Sequence, residues 1–183
     1  MIESLSTYSS WVALGAIFLQ LVTAYLIVEH FYLKEKYLAP YVPDFGLAAV
    51  FVVSVTSAIF SLVYSEHFGF IPCGLCWVER GFLYSLVVLT GVALFKQYHG
   101  ARDRAVADYG IALALIGALI SLYHHYGQMA GGPLSVCPTA GVGSNCARRL
   151  VFEFGYMTLP LMAATTFAFC IVVFLIYRAA RHQ

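Results

Sequence analysis

Stretches without a single charged side chain constrain this chain more than anything else in it. Residues 4–28, 45–65, 109–147 and 154–177 contain no Asp, Glu, Lys or Arg, and 81–95 is a shorter run of the same kind. A helix crossing ~30 Å of hydrocarbon needs about 20 mostly apolar residues, each advancing ~1.5 Å. The 39-residue run 109–147 is longer than one helix needs. Its apolar part ends near Tyr126, and Gly127, Gly131, Gly132, Pro133 and Pro138 are expected to break any helix beyond that point. The pattern predicts five spans, at about 11–31, 45–66, 75–96, 107–126 and 156–178. Only helical bundles and closed barrels satisfy their backbone polar groups in lipid. No period-2 alternation is present, so the expected fold is an all-α integral membrane bundle, a single membrane domain over 1–183.

Composition agrees. Hydrophobic residues make up 61% of the chain and charged residues 10%, against ~45–50% and ~25% in ordinary soluble domains. Too few charges remain to cover a soluble surface, which excludes a soluble domain, a disordered chain and a coiled coil. A net charge of +1 gives no electrostatic case for a nucleic-acid partner. The first span opens Met1-Ile2-Glu3 without a basic residue and has a long apolar core, so it reads as a membrane helix rather than a secretory signal.

Five spans put the termini on opposite sides. One side holds residues 1–10, the 67–74 turn and the 127–155 loop, with two basic residues, Arg148 and Arg149. The other holds seven: Lys34, Lys36, Lys96, Arg102, Arg104, Arg178 and Arg181. The positive-inside rule then predicts a cytoplasmic C-terminus and an external N-terminus. Cys73, Cys76, Cys137 and Cys146 all fall on the outer side, where disulfides persist. Cys170 lies within the fifth span and reads as a small apolar packing residue.

Cys73-Gly74-Leu75-Cys76 is a C-x-x-C, which by itself fits a redox pair, half a zinc site or a structural disulfide. Haem attachment of the c type needs a His after the second Cys, and Trp77 stands there. Pro72 before the pair marks a helix start. A helix N-terminus favours negative charge, and a thiolate placed there has a depressed pKa and exchanges disulfides readily. Cys137 and Cys146 bracket a short Gly-containing loop that another protein can approach. A loop staple, or a zinc site built from all four outer cysteines, stays open as an alternative.

Glu79 and Arg80 stand one turn inside the third span, where ionisable groups are functional hypotheses by default. Arg80 is four residues after Cys76, hence on the same helix face, where it can stabilise a thiolate or donate to the oxygen of a lipid-soluble molecule. Snorkelling to the outer interface beside Glu79 is the alternative. His124 and Gln128, again four apart, end the fourth span and belong either to the same site or to the headgroup belt. His67 reads as interfacial.

The string Pro72-Cys73-Gly74-Leu75-Cys76-Trp77-Val78-Glu79-Arg80, followed by a second cysteine pair in the next outer loop, resembles the disulfide bond formation protein B family. The His124/Gln128 spacing and the Gly155 to Pro160 segment are similar to that family too. The resemblance covers about 45–178. It implies a four-helix core, with the first span as an addition, and the short loop between Cys137 and Cys146 resembles the family's short-loop branch. It also implies a quinone-dependent thiol oxidase in a bacterial cytoplasmic membrane, supporting disulfide bond formation. Its substrate would be a thioredoxin-fold, DsbA-like partner outside, and its acceptor ubiquinone or menaquinone. By position, Cys137 would form the mixed disulfide and Cys146 would resolve it. Cys73 and Cys76 would reoxidise that pair, with Cys76 next to the quinone. Arg80 would hold or polarise the ring, with His124 and Gln128 contributing less. No metal is expected.

The chemistry is self-consistent. A cysteine pair fills after one turnover and cannot be a terminal acceptor. The chain lacks a G-x-G-x-x-G fingerprint for a soluble cofactor. Three rival readings remain: a protein resembling vitamin K epoxide reductase, whose usual cysteine-pair order is reversed here; a b-type haem protein using His67 with His124 or His125; and a non-catalytic membrane protein with stapled loops.

Overall fold

The computed structural model of the protein describes residues 2–32, 41–100, 105–131 and 146–179. Among these, five long helices carry almost all the regular structure: α1 Ile2–Tyr32, α2 Val42–Glu66, α3 Gly74–Tyr98, α4 Ala105–Ala130 and α5 Leu159–Ala179. Each is long and apolar enough to cross a membrane. Cys137 and the basic residues Lys34, Lys36, Arg102, Arg104 and Arg181 lie outside the described residues.

The helix ends follow local chemistry. Pro43 sits in the first turn of α2, where its missing N–H costs nothing, and Asp44 faces the same positive end. Cys73 caps α3, its sulfur accepting from the Cys76 N–H at 3.4 Å. Thr158 caps α5, its hydroxyl accepting from Leu161 N at 3.4 Å.

Three boundaries differ clearly from the sequence-based expectation. α4 passes straight through Gly127, which is buried in it, and ends at Gly131. Gly131 adopts φ +67°, the left-handed conformation that closes a helix, and its N–H bonds Gly127 O at 3.2 Å. One glycine inside an apolar helix is therefore not a stop here. α5 starts at Leu159 rather than near 156 because 153–157 forms a tight hairpin, with Glu153 and Met157 exchanging backbone bonds at 2.9 Å each. The first helix begins at Ile2 rather than near 11, because its outer turns pack on α2: the Tyr64 hydroxyl donates to buried Ser9 at 3.2 Å.

α5 is the centre of the bundle. Of its most apolar window 61% is buried, against 22% for α1. It packs most extensively on α4 and also contacts α1 and α2. Without a hydrophobic force between helices in lipid, close packing carries association. Gly117 supplies it: a Cβ there would meet the Phe167 ring at 2.5 Å, so only glycine lets the ring seat against α4. Gly110 receives Phe174 in the same way. Cys170 is fully buried in this core, its sulfur 3.8 Å from Ser54 Oγ, which fits the packing role expected of it. The exposed apolar side chains, such as Leu21, Val88 and Leu119, face outward as a lipid-facing surface requires.

Candidate functional site

The α3 N-terminus carries the cysteine pair. Cys73 as N-cap and Cys76 in the first turn bring their sulfurs to 2.7 Å from each other. Rotation of side chains alone closes such a pair into a disulfide. Cys73 is buried and Cys76 partly so. Cys73 stands just outside the span. The hydrogen bond from Cys76, and after it the one from His124, outweighs burial and holds the Cys73 thiol well below its ordinary pKa.

One turn further, Glu79 and Arg80 point to different helices. Glu79 reaches α4, its Oε1 2.8 Å from His124 Nδ1. Arg80 reaches α2: Nε donates to Ser61 Oγ at 2.8 Å, and Nη2 donates to Ser61 O at 2.6 Å and Ser65 Oγ at 3.1 Å. It also lies 5.5 Å from the Trp77 ring centroid. Arg80 is 6% exposed, so it does not snorkel, and it makes no ion pair with Glu79 among the described residues. Its Nη1 makes no hydrogen bond among the described residues.

His124 is fully buried between three groups. Its Nε2 lies 3.1 Å from the Cys146 carbonyl oxygen and 3.6 Å from Cys73 Sγ. A carbonyl oxygen only accepts, and so does the Glu79 carboxylate. A proton on each ring nitrogen satisfies both contacts, and the Gln128 amide nitrogen, 3.3 Å from Nε2, then turns its own hydrogens to the Cys146 and Arg148 carbonyls. The arrangement is then carboxylate, imidazolium and sulfur in a row, which suits a Cys73 thiolate. Gln128 Nε2 sits against the Cys146 and Arg148 carbonyls at 3.5 and 3.4 Å, pinning the returning loop to α4. Cys146 is disulfide-bonded, 1% exposed, and packs in one cluster with Cys73 and Leu75.

A cavity of about 580 Å³ opens beside the pair. Cys73, Cys76, Glu79, Arg80, Gln128 and Cys146 line its end at the α3 N-terminus, and side chains of α1, α2 and α5 line the rest. Of the residues singled out in the sequence, the structure brings Cys73, Cys76, Arg80, Gln128 and Cys146 to this wall. His124 lies behind it, against Cys73. The sequence marked Glu79 as a functional hypothesis by its depth but gave it no role at the site, and it did not point to Ser61 or Ser65. A carboxylate inside an apolar helix was the available signal for Glu79; the serines gave none.

A metal and a haem fit less well. Cys73, Cys76 and His124 place their ligand atoms within 4.8 Å of one another. Two thiolates on one tetrahedral zinc, at ~2.3 Å each, sit about 3.7 Å apart. The sulfurs here are closer than that, as a dithiol couple requires. His67 is exposed and edge-on to Phe68, outside the cavity wall, and both ring nitrogens of His124 are engaged.

Residues 43–177 match the family model described as disulfide bond formation protein DsbB. Disulfide bond formation protein C of Bacillus subtilis is 32% identical over 137 residues, covering 75% of this chain and 95% of the relative. An SPbeta prophage-derived disulfide bond formation protein B of Bacillus subtilis is 36% identical over 129 residues, covering 70% and 81%. A probable disulfide formation protein of Oceanobacillus iheyensis is 32% identical over 130 residues, covering 71% and 86%. No solved structure is a significant match. α1 precedes the matched segment.

Proposed function

The chain belongs to the disulfide bond formation protein DsbB family, and on that premise we propose that it is a membrane thiol oxidase. It takes two electrons from a protein dithiol and passes them through two cysteine pairs to a membrane quinone, ubiquinone or menaquinone. The donor is a thioredoxin-fold, DsbA-like protein on the outer face of a bacterial cytoplasmic membrane. The excess of Lys and Arg in 31–44, 97–106 and the C-terminus supports a cytoplasmic C-terminus and an external N-terminus.

One observation carries the proposal. A C-x-x-C at a helix start lies between a disulfide-bonded Cys146, packed on Cys73, and a cavity lined by Cys76 and the Arg80 guanidinium. Cys137 takes the mixed disulfide with the partner, and Cys146 is its resolving cysteine. The loop pair then hands its two electrons to Cys73 and Cys76. His124, held by Glu79, stabilises the sulfur that leaves as Cys73 thiolate. Cys76 faces the acceptor, and Arg80, anchored by Ser61 and Ser65, donates to the oxygen that gains negative charge. A quinone supplies a two-electron, two-proton acceptor that diffuses in the bilayer. Overall, the partner dithiol becomes a disulfide and the quinone becomes a quinol.

The test uses purified protein, a reduced thioredoxin-fold donor and a quinone. We expect quinone consumption stoichiometric with donor oxidation. Cys137→Ser should block electron arrival from the donor, and Cys76→Ser should block transfer to quinone. Full turnover in both variants refutes the assignment.

A further inference from the structure

α1 stands outside the family segment 43–177, yet it is part of the wall around the acceptor cavity. Its fixings leave that wall open on one side. α1 runs along α5, with Gln20 Nε2 donating to Thr165 Oγ1 at 3.0 Å and Ser10 to Glu153 Oε2 at 3.2 Å. It meets α2 at the outer end, where the Tyr8 ring packs on Phe60 and Tyr64. Deeper in, α1 and α2 flank the cavity without closing on each other: Gly15, Phe18 and Leu19 face Val52, Val53 and Thr56 across it. Along α2 the lining runs from Val52 to Tyr64, about 18 Å at the helical rise.

The space has two ends of different chemistry. The outer end is polar, with Cys76, Arg80 and Gln128; the deep end is mostly hydrocarbon, broken by Thr56, Ser57 and Thr166. Empty apolar volume of this size is a poor site for water, which needs several polar partners. Gly15 is exposed and lines the cavity, and an added Cβ there would meet nothing within 4 Å.

We propose that α1 completes an apolar subsite for the hydrocarbon chain of the lipid-soluble acceptor, with Gly15 as the position that keeps it open. The proposal rests on the quinone reading above and assigns to the additional helix a part in choosing the acceptor by its chain. The ring stays at Cys76 and Arg80, and the chain runs inward between α1 and α2. Adding a side chain at Gly15 fills the subsite from a position with open space, without pushing on the packed α1–α5 face.

The experiment compares quinones sharing one ring, with no chain, a short alkyl chain or a long isoprenoid chain, on the full-length protein. A second readout is a long-chain quinone carrying a photoreactive group on its chain, with the labelled peptide mapped by mass spectrometry. The expected result is a KM that falls with chain length and labelling of the α1 segment 12–19. In Gly15→Leu the ratio of long-chain to chain-free KM should rise about tenfold, the worth of one or two buried methylenes, and the α1 label should fade. Thermal unfolding in detergent verifies that Gly15→Leu is folded. Equal KM for all chain lengths, with label absent from α1, overturns the subsite while leaving the quinone reading intact. Strong α1 labelling by a photoreactive phospholipid, undiminished by excess long-chain quinone, overturns it as a lipid seat. Absence of any quinone binding or reduction by the parent protein overturns both readings together.

Discussion

Replacing Glu79 by Gln tests the most specific feature of the site. The amide keeps the size and a carbonyl acceptor for His124 Nδ1, but it removes a buried negative charge 2.8 Å from that nitrogen. A hydrogen bond to a charged group contributes about 1.5–3 kcal/mol, and each ~1.4 kcal/mol is a factor of ten. Only part of this reaches Cys73, because the hydrogen bond from Cys76 is untouched and is the larger cause of its depressed pKa. We therefore expect roughly a tenfold loss of Cys73 thiolate reactivity in mildly acidic solution. The sign follows from the direction of the shift. A thiol with a lowered pKa stays ionised as pH falls, so weakening its support makes reactivity disappear at a higher pH. The assay is iodoacetamide labelling of the fully reduced protein, read at the Cys73 peptide between about pH 4 and 8. The Glu79→Gln profile should move to higher pH, and Glu79→Asp should recover part of the difference. A merely structural Glu79 lowers thermal stability and leaves the profile in place. Superimposable profiles for parent and Glu79→Gln therefore refute Glu79 as a positioning residue for His124.

Two further outcomes bear on other parts of the structure. Arg80→Gln removes the guanidinium at the cavity wall; acceptor KM should rise about 10–100-fold while Cys73 labelling keeps its pH profile, as steady-state kinetics and alkylation together will show. Gly117→Ala puts a methyl group 2.5 Å from the Phe167 ring, so the α4–α5 contact must open. Overpacking of this kind costs about 1–3 kcal/mol, and thermal unfolding in detergent should register a clear drop that the exposed Gly81→Ala, with nothing within 4 Å, does not show.

Much of the site could be read along the chain because its parts repeat at helical spacing. Cys76 and Arg80, and His124 and Gln128, are each one turn apart, and a helix start next to Pro72 was enough to place the cysteine pair at its cap. The direction of each side chain around the helix was not legible. Glu79 and Arg80 are neighbours in sequence, which left open that they snorkel side by side, but consecutive helical residues point about 100° apart. One therefore meets α4 and the other α2. Gly127 misled for a related reason: its effect depends on whether packing holds the helix together, which local propensity does not record.

The amino-acid sequence by itself determined that this is a membrane bundle of five helices. Length and absence of charge decide what can cross hydrocarbon, and no tertiary contact is needed for that argument. It also led to the expectation that Cys73, Cys76, Cys137 and Cys146 share one side, because two spans separate the C-x-x-C from the loop that holds Cys137 and Cys146. Tertiary structure alone decided that His124 sits between Glu79 and Cys73, that Cys146 returns to pack on Cys73, and that the additional helix walls the cavity beside the cysteine pair. Those are contacts between residues far apart in the chain, set by how α5 gathers α1, α2 and α4 around itself. Nothing in a linear pattern specifies which faces of separate helices meet.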